Sequence, residues 1–162
     1  MKVQIATLAD IPSWLELASE VEFLFGPMVD QPDFQNALRK NIDRESAYCI
    51  REQDRSAGAP LMGGLFLSSR PPEYHIRWLS VAEQWRRRGI GTVLLEHVFD
   101  LIKLPAELFV ATFGADNLEG QPARQFYKKM GFEFLAEAPP GPEGGSREIF
   151  RKSFLSDLVH SI

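Results

Sequence analysis

The sequence predicts a mixed α/β fold built as one domain, on three observations. Short stretches rich in β-formers alternate along the chain with longer stretches whose apolar residues recur every three or four positions. Residues 75–95 pass from the first kind to the second through a glycine turn, as a strand feeding directly into a helix would. At 162 residues and 44% apolar, the chain has material for one ordinary core and no comfortable room for a second.

Residues 2–6 alternate as a short strand. Asp10-Ile11-Pro12 reads as a helix start, with Asp10 as cap and proline in the tolerated first turn; Ile11, Trp14, Leu15, Ala18, Val21 and Phe25 mark its buried stripe. Gly26-Pro27 breaks that helix. Gln31-Pro32-Asp33 opens another, with Phe34, Leu38 and Ile42 four apart, so the two form a hairpin-like pair. Residues 47–51, 61–67 and 75–81 then read as a three-strand meander, interrupted by a loop at 56–60 and by Arg70-Pro71-Pro72. Ile90, Val93, Leu94, Val98, Leu101 and Ile102 fall at helical spacing until Leu104-Pro105. A strand at 108–113 follows, then an amphipathic helix at 121–130 that stops at Gly131. Residues 132–136 and 147–154 close the chain as two antiparallel strands joined by the Pro/Gly-rich loop at 138–145. The total is about seven strands and about four helices.

Bulk properties exclude several classes of function. A net charge of -4 argues against nucleic acid as the main partner, because the arginines at 86–88 are a local cluster and not part of a basic face. The single Cys49 excludes an internal disulfide framework and reads as a small buried hydrophobe. No apolar run reaches the ~20 residues of a membrane span, and the N-terminus has no basic segment followed by an apolar core. A soluble, cytoplasmic protein without membrane contact is expected. His75, His97 and His160 have no metal-ligand spacing, so no metal is implied.

The chemistry concentrates in residues 79–95, where a strand, three arginines (Arg86, Arg87, Arg88), Gly89, Ile90, Gly91, Thr92 and a helix start follow in order. The first turn of a helix leaves backbone N–H groups without intrahelical partners, and the aligned peptide dipoles place about half a positive charge there. Glycines at 89 and 91 remove side chains that would hold an anion off. The stretch reads as a phosphate cradle. It is not a nucleotide-triphosphate loop, since G-x-x-x-x-G-K-S/T needs a lysine that follows neither glycine. It is not a dinucleotide fingerprint either, since Leu94 stands where the third glycine belongs.

Arg86, Gly89 and Gly91 do satisfy Q/R-x-x-G-x-G/A, which resembles the acyl-coenzyme A signature of the GNAT acetyltransferase superfamily. A second stretch, Ala123 to Phe132, resembles that superfamily's other cofactor motif, A-x-x-F/L-Y-x-x-x-G-F, through Phe126, Tyr127, Gly131 and Phe132. One position departs: where family members often carry asparagine, three residues before the alanine, this chain has Gly120, and Asn117 lies three residues earlier. The order of elements also resembles the GNAT layout. The resemblance implies a central twisted, mostly antiparallel sheet of about seven strands flanked by about four helices, with acetyl-CoA as co-substrate.

The resemblance also implies roles for residues. Arg86, Arg87 and Arg88, with the amides of Gly89, Ile90, Gly91 and Thr92, would hold the cofactor's diphosphate. Leu79, Ser80 and Val81 would pair with its pantetheine arm, and the Val81 amide would donate to the thioester carbonyl. Asn117, Phe126 and Lys129 join the expected cofactor contacts. Tyr127 would be the general acid toward the leaving thiolate. For the general base Glu73, His75, Glu22 and a water chain all stand open. The acceptor is expected to be an amine, on a small molecule or a peptide N-terminus. The competing reading is a binding module that senses acyl-CoA without turnover. A homodimer through the last strands and the apolar residues of 154–162 is a further expectation.

Overall fold

The computed structural model describes residues 1–155. Its strands are β1 (Val3–Ile5), β2 (Ala47–Arg51), β3 (Leu61–Arg70), β4 (Glu73–Val81), β5 (Ala106–Phe113), β6 (Glu133–Ala138) and β7 (Arg147–Phe154), and its helices are α1 (Ile11–Ser19), α2 (Glu22–Phe25), α3 (Pro32–Asp43), α4 (Ile90–Leu101) and α5 (Gln121–Lys129). The strands form one seven-stranded sheet in the order β1-β2-β3-β4-β5-β7-β6. The expected meander of β2, β3 and β4 is present as three neighbours, and β6 and β7 pair antiparallel as expected. The β4–β5 pair is parallel, in a sheet that is otherwise mostly antiparallel. The mixed α/β fold is as the sequence predicts. Of the apolar residues expected as an interface at 154–162, Phe154 ends β7 and Leu155 is exposed, and the rest lie outside the described residues.

The chain divides into two compact units. The first holds residues 1–67 and 78–100. Its core is aromatic: Trp14 of α1 stacks on Phe66 of β3 at 5.2 Å and lies 5.6 Å from Trp78, and Phe34 of α3 meets both Phe66 and Trp78. Two glycines in mid-strand make this packing possible. A Cβ at Gly64 would stand 2.7 Å from the Trp14 ring, and one at Gly63 would stand 2.9 Å from Ile90 Cγ2. One strand residue thus admits Trp14, and its neighbour admits the first residue of α4.

Two sequence expectations change in this unit. The single helix expected from Asp10 to Phe25 is two, α1 and α2, separated at Glu20 and Val21. Asp10 does not cap α1 with its side chain. Its carboxylate instead accepts from Arg51 Nε at 3.0 Å and Nη2 at 2.7 Å, from Gly58 N at 2.9 Å and from Thr7 N at 2.8 Å. A fully buried carboxylate needs a counter-charge, which a helix N-terminus alone does not supply.

The second unit holds residues 68–77 and the chain from Leu101 onward. The β4–β5 ladder runs from Glu73↔Glu107 to Ile76↔Val110, and β5 pairs with β7 along its whole length. Leu108, Val110 and Phe150 are buried at its centre. The Tyr74 hydroxyl accepts the Lys103 amide just after α4 at 3.2 Å. Among the described residues no helix is long and apolar enough to cross a membrane, and no cluster of His, Cys, Asp or Glu could hold a metal ion.

Candidate active site

The cradle is built within the first unit. β4 ends at Val81, and the Ala82 amide bonds Met62 O at 2.9 Å, which fixes the exit of the strand. A 3-10 turn over Glu83–Trp85 follows. Glu52 anchors this turn by accepting from Gln84 Nε2 at 3.2 Å and from Trp85 Nε1 at 3.1 Å. The guanidinium of Arg88 lies 5.1 Å above the Trp85 ring. Arg86 Nε donates back to Val81 O at 3.3 Å. The three arginines are exposed, and among the described residues none is ion-paired. The indole of Trp85 is therefore the platform that steers Arg88. Nothing local in the sequence announces its link to Glu52, 33 residues away.

Backbone conformation completes the cradle. Arg87 and Gly89 both have positive φ, 64° and 82°. Such left-handed residues turn successive N–H groups toward one side, as anion-binding loops require. A Cβ at Gly89 would meet nothing within 4 Å, so glycine is there for its conformation and leaves open space above the backbone. The Val93 amide bonds Gly89 O at 3.0 Å, the first turn of α4, and the amides of Ile90, Gly91 and Thr92 before it lack intrahelical partners. Ile90 is buried and holds this helix end in place. Leu79 and Val81 are half-buried, whereas Ser80 is buried with its hydroxyl unpartnered among the described residues.

Glu22 also lies in the first unit. Its Oε2 accepts from Met28 N at 2.6 Å and Val29 N at 3.2 Å, closing the loop between α2 and α3. Trp78 Nε1 donates to Met28 Sδ at 3.4 Å and Gln35 Nε2 to Val29 O at 2.6 Å, so three side chains hold that loop. Glu73 belongs to the second unit and is exposed. It opens β4, a strand of nine residues that Val81 closes. His75 lies on the Phe109 ring at 5.0 Å, and burial with the nearby Arg77 holds its imidazole below the usual histidine value.

The second motif is built within the second unit, on α5. Tyr127 is 6% exposed and its ring meets Phe126 at 5.3 Å and Phe132 at 5.4 Å. Gly131, at φ 96°, ends the helix as expected: the Phe132 amide bonds Tyr127 O at 3.0 Å and the Gly131 amide bonds Lys128 O at 3.1 Å. The Tyr127 hydroxyl has no hydrogen-bond partner among the described residues, and burial pushes its phenol well above the usual tyrosine value. Phe126 is half-buried and Lys129 exposed. Asn117 turns inward on its own loop, where Oδ1 accepts the Gly120 amide at 3.0 Å. Gly120 itself has a steric cause: a Cβ there would stand 2.3 Å from the Phe113 side chain. Asparagine cannot occupy this position while α5 starts so close to β5. Cys49 is buried, as expected, and burial pushes its thiol up to about 12, which leaves it inert as a nucleophile.

The sequence matches the Acetyltransferase (GNAT) domain family over residues 44–134, more than half of the chain. No curated protein matches it significantly. Among solved structures it is similar to a GNAT-family acetyltransferase from Bacillus cereus (16% identity, 96% of this chain and 98% of that one, TM-score 0.69). It is similar too to a ribosomal-protein-alanine N-acetyltransferase from Brucella melitensis (16%, 95% and 100%, TM-score 0.71). A third is the PaiA N-acetyltransferase from Thermoplasma acidophilum, in complex with coenzyme A (14%, 94% and 98%, TM-score 0.67). At such identities these likenesses speak for the fold, and the sequence match carries the family. The glycine cradle after β4 and the tyrosine helix α5 both fall within the matched residues, and the chain belongs to the GNAT acetyltransferase family.

Proposed function

We propose that residues 1–162 act as one cytoplasmic N-acetyltransferase domain that moves an acetyl group from acetyl-CoA to a primary amine, on a small molecule or a peptide N-terminus, by direct attack in a ternary complex. The observation that carries this reading is the cradle: exposed arginines that form no ion pair among the described residues, beside a left-handed Gly89 with open space above it, at the start of α4. Those residues fit a diphosphate. They supply full positive charge, unpartnered amides and a helix N-terminus together.

Acetyl-CoA, when bound, supplies an acetyl group activated as a thioester. The chain's own residues do the rest. Arg86, Arg87 and Arg88 with the amides of Gly89 to Thr92 grip the diphosphate and set position. Leu79, Ser80 and Val81 offer their backbone to the pantetheine arm, and the Val81 amide points donor charge at the carbonyl. Tyr127 keeps its proton at every physiological pH and gives it to the departing sulfur. An alkyl amine with pKa around 10 must lose a proton before it attacks. Of the two carboxylates, Glu22 is the proposed acceptor of that proton, through Oε1 and directly or by way of water, because both loop amides fall on Oε2. Phe126 and Lys129 flank Tyr127 as cofactor contacts, and Asn117 shapes the loop before α5.

The test is a mass-shift screen. Incubation with acetyl-CoA and a panel of amines, amino acids, polyamines and peptides is expected to add one acetyl group to at least one class. Tight cofactor binding with no acetylated product for any class would favour the non-catalytic sensor.

A further inference from the structure

Arg124 is a buried charge for which the acetyl-transfer reading has no use. It is 6% exposed and stands one helical turn before Tyr127 on the buried face of α5. Its Nη1 donates to Phe113 O at 2.9 Å and to Glu148 Oε1 at 2.5 Å, and its guanidinium carbon lies 5.2 Å from the Phe150 ring centre. One side chain therefore ties α5 to the last residue of β5 and to two residues of β7.

Stability alone explains this poorly. A buried ion pair can often be replaced by apolar residues of similar volume with no loss. What arginine adds is direction, because the two N–H bonds of the one planar nitrogen Nη1 are fixed in the guanidinium plane and meet one carbonyl and one carboxylate. The Tyr127 hydroxyl has no hydrogen-bond partner among the described residues, so nothing at the oxygen itself fixes its place. Its location follows from the contacts of its ring, the turn at Gly131 and the rotation of α5.

We infer that Arg124, with Glu148 as its counter-ion, is a positioning residue that sets the rotation and axial register of α5 and thereby the location of the Tyr127 hydroxyl. The inference rests on the reading of Tyr127 as proton donor. Neither Arg124 nor Glu148 touches a reacting atom in this account.

The experiment is a kinetic double-mutant cycle. The parameters kcat and KM for acetyl-CoA are measured for the wild type, Arg124→Lys, Tyr127→Phe and the double variant. Arg124→Lys keeps the charge and loses the planar geometry that fixes the two Nη1 bonds. It is expected to lower kcat about tenfold or more, with KM for acetyl-CoA changed by less than about twofold. In the Tyr127→Phe background the same change is expected to cost nothing further, since the hydroxyl it places is gone. Glu148→Ala repeats the cycle should Arg124→Lys fail to fold, and Glu148→Gln, which keeps an accepting oxygen, is expected to recover most of its loss. An equal fall in kcat with and without the Tyr127 hydroxyl overturns the inference, as does a lower Tm with kcat intact. If Tyr127→Phe alone turns over like wild type, the proton-donor reading has failed, and that single variant identifies the failure.

Discussion

Arg51 and Asp10, 41 positions apart, meet in a two-bonded ion pair with 3% and 0% of their side chains exposed. Burial raises the Asp10 carboxyl, but the hydrogen bond from Arg51 and those from Gly58 and Thr7 together outweigh it and hold the group below the usual carboxylate range. Removing one partner strands the other, so Arg51→Met or Asp10→Ala is expected to cost about 3–5 kcal/mol in urea unfolding at pH 7. Because the native pKa is depressed, this contribution is complete above the unfolded value near 3.9 and is lost as pH falls through the native one. Unfolding curves of wild type and Asp10→Asn should therefore converge toward acid. Parallel curves would show that the pair does not titrate with folding.

Gly120 holds the place where family members often have asparagine, and the Phe113 side chain fills the room a side chain would need. Gly120→Asn is expected to lower stability by about 1–3 kcal/mol and to leave acetyl-CoA affinity no tighter. A variant with unchanged Tm and improved affinity would mean that the loop before α5 had simply lost a cofactor contact.

Glu22 carries two duties that one substitution separates. A glutamine oxygen can still accept the Met28 and Val29 amides, so Glu22→Gln should keep its Tm. It cannot take a proton from the amine, and kcat at neutral pH should fall roughly 10²-fold, recovering as rising pH deprotonates the acceptor. Unchanged kcat would leave Glu22 as the clasp of its loop and nothing more.

Tyr127 keeps its proton in the native state when an unfolded tyrosine would lose it near pH 10. Its contribution to stability is complete below that pH and is lost as pH rises from there toward the higher native value. Wild type should thus lose stability more steeply than Tyr127→Phe between about pH 10 and 11, as read by urea melts. Equal slopes would place the phenol in contact with water.

Much of this was legible in the sequence, for a local reason. The strand-to-helix turn at 79–95 and the α5 motif are each contiguous, and the glycine stop at 131 is a rule of helix ends. What was not legible depends on contacts between distant positions. Arg124 looks like a surface arginine until Glu148 and Phe113 close over it, and Asp10 looks like a cap until Arg51 reaches it. The glycines at 63 and 64 look like a weak strand until Ile90 and Trp14 arrive. The apolar stripe of the first helix ran through Val21 to Phe25 in one register, and periodicity could not reveal the break between α1 and α2.

The most direct measurement is calorimetric titration of acetyl-CoA into the wild type and into a variant with Arg86, Arg87 and Arg88 all changed to glutamine. The account predicts saturable heat for the wild type, weakening with added salt, and at least about a hundredfold lower affinity for the variant. No heat from the wild type, or equal affinity in the two proteins, would contradict it.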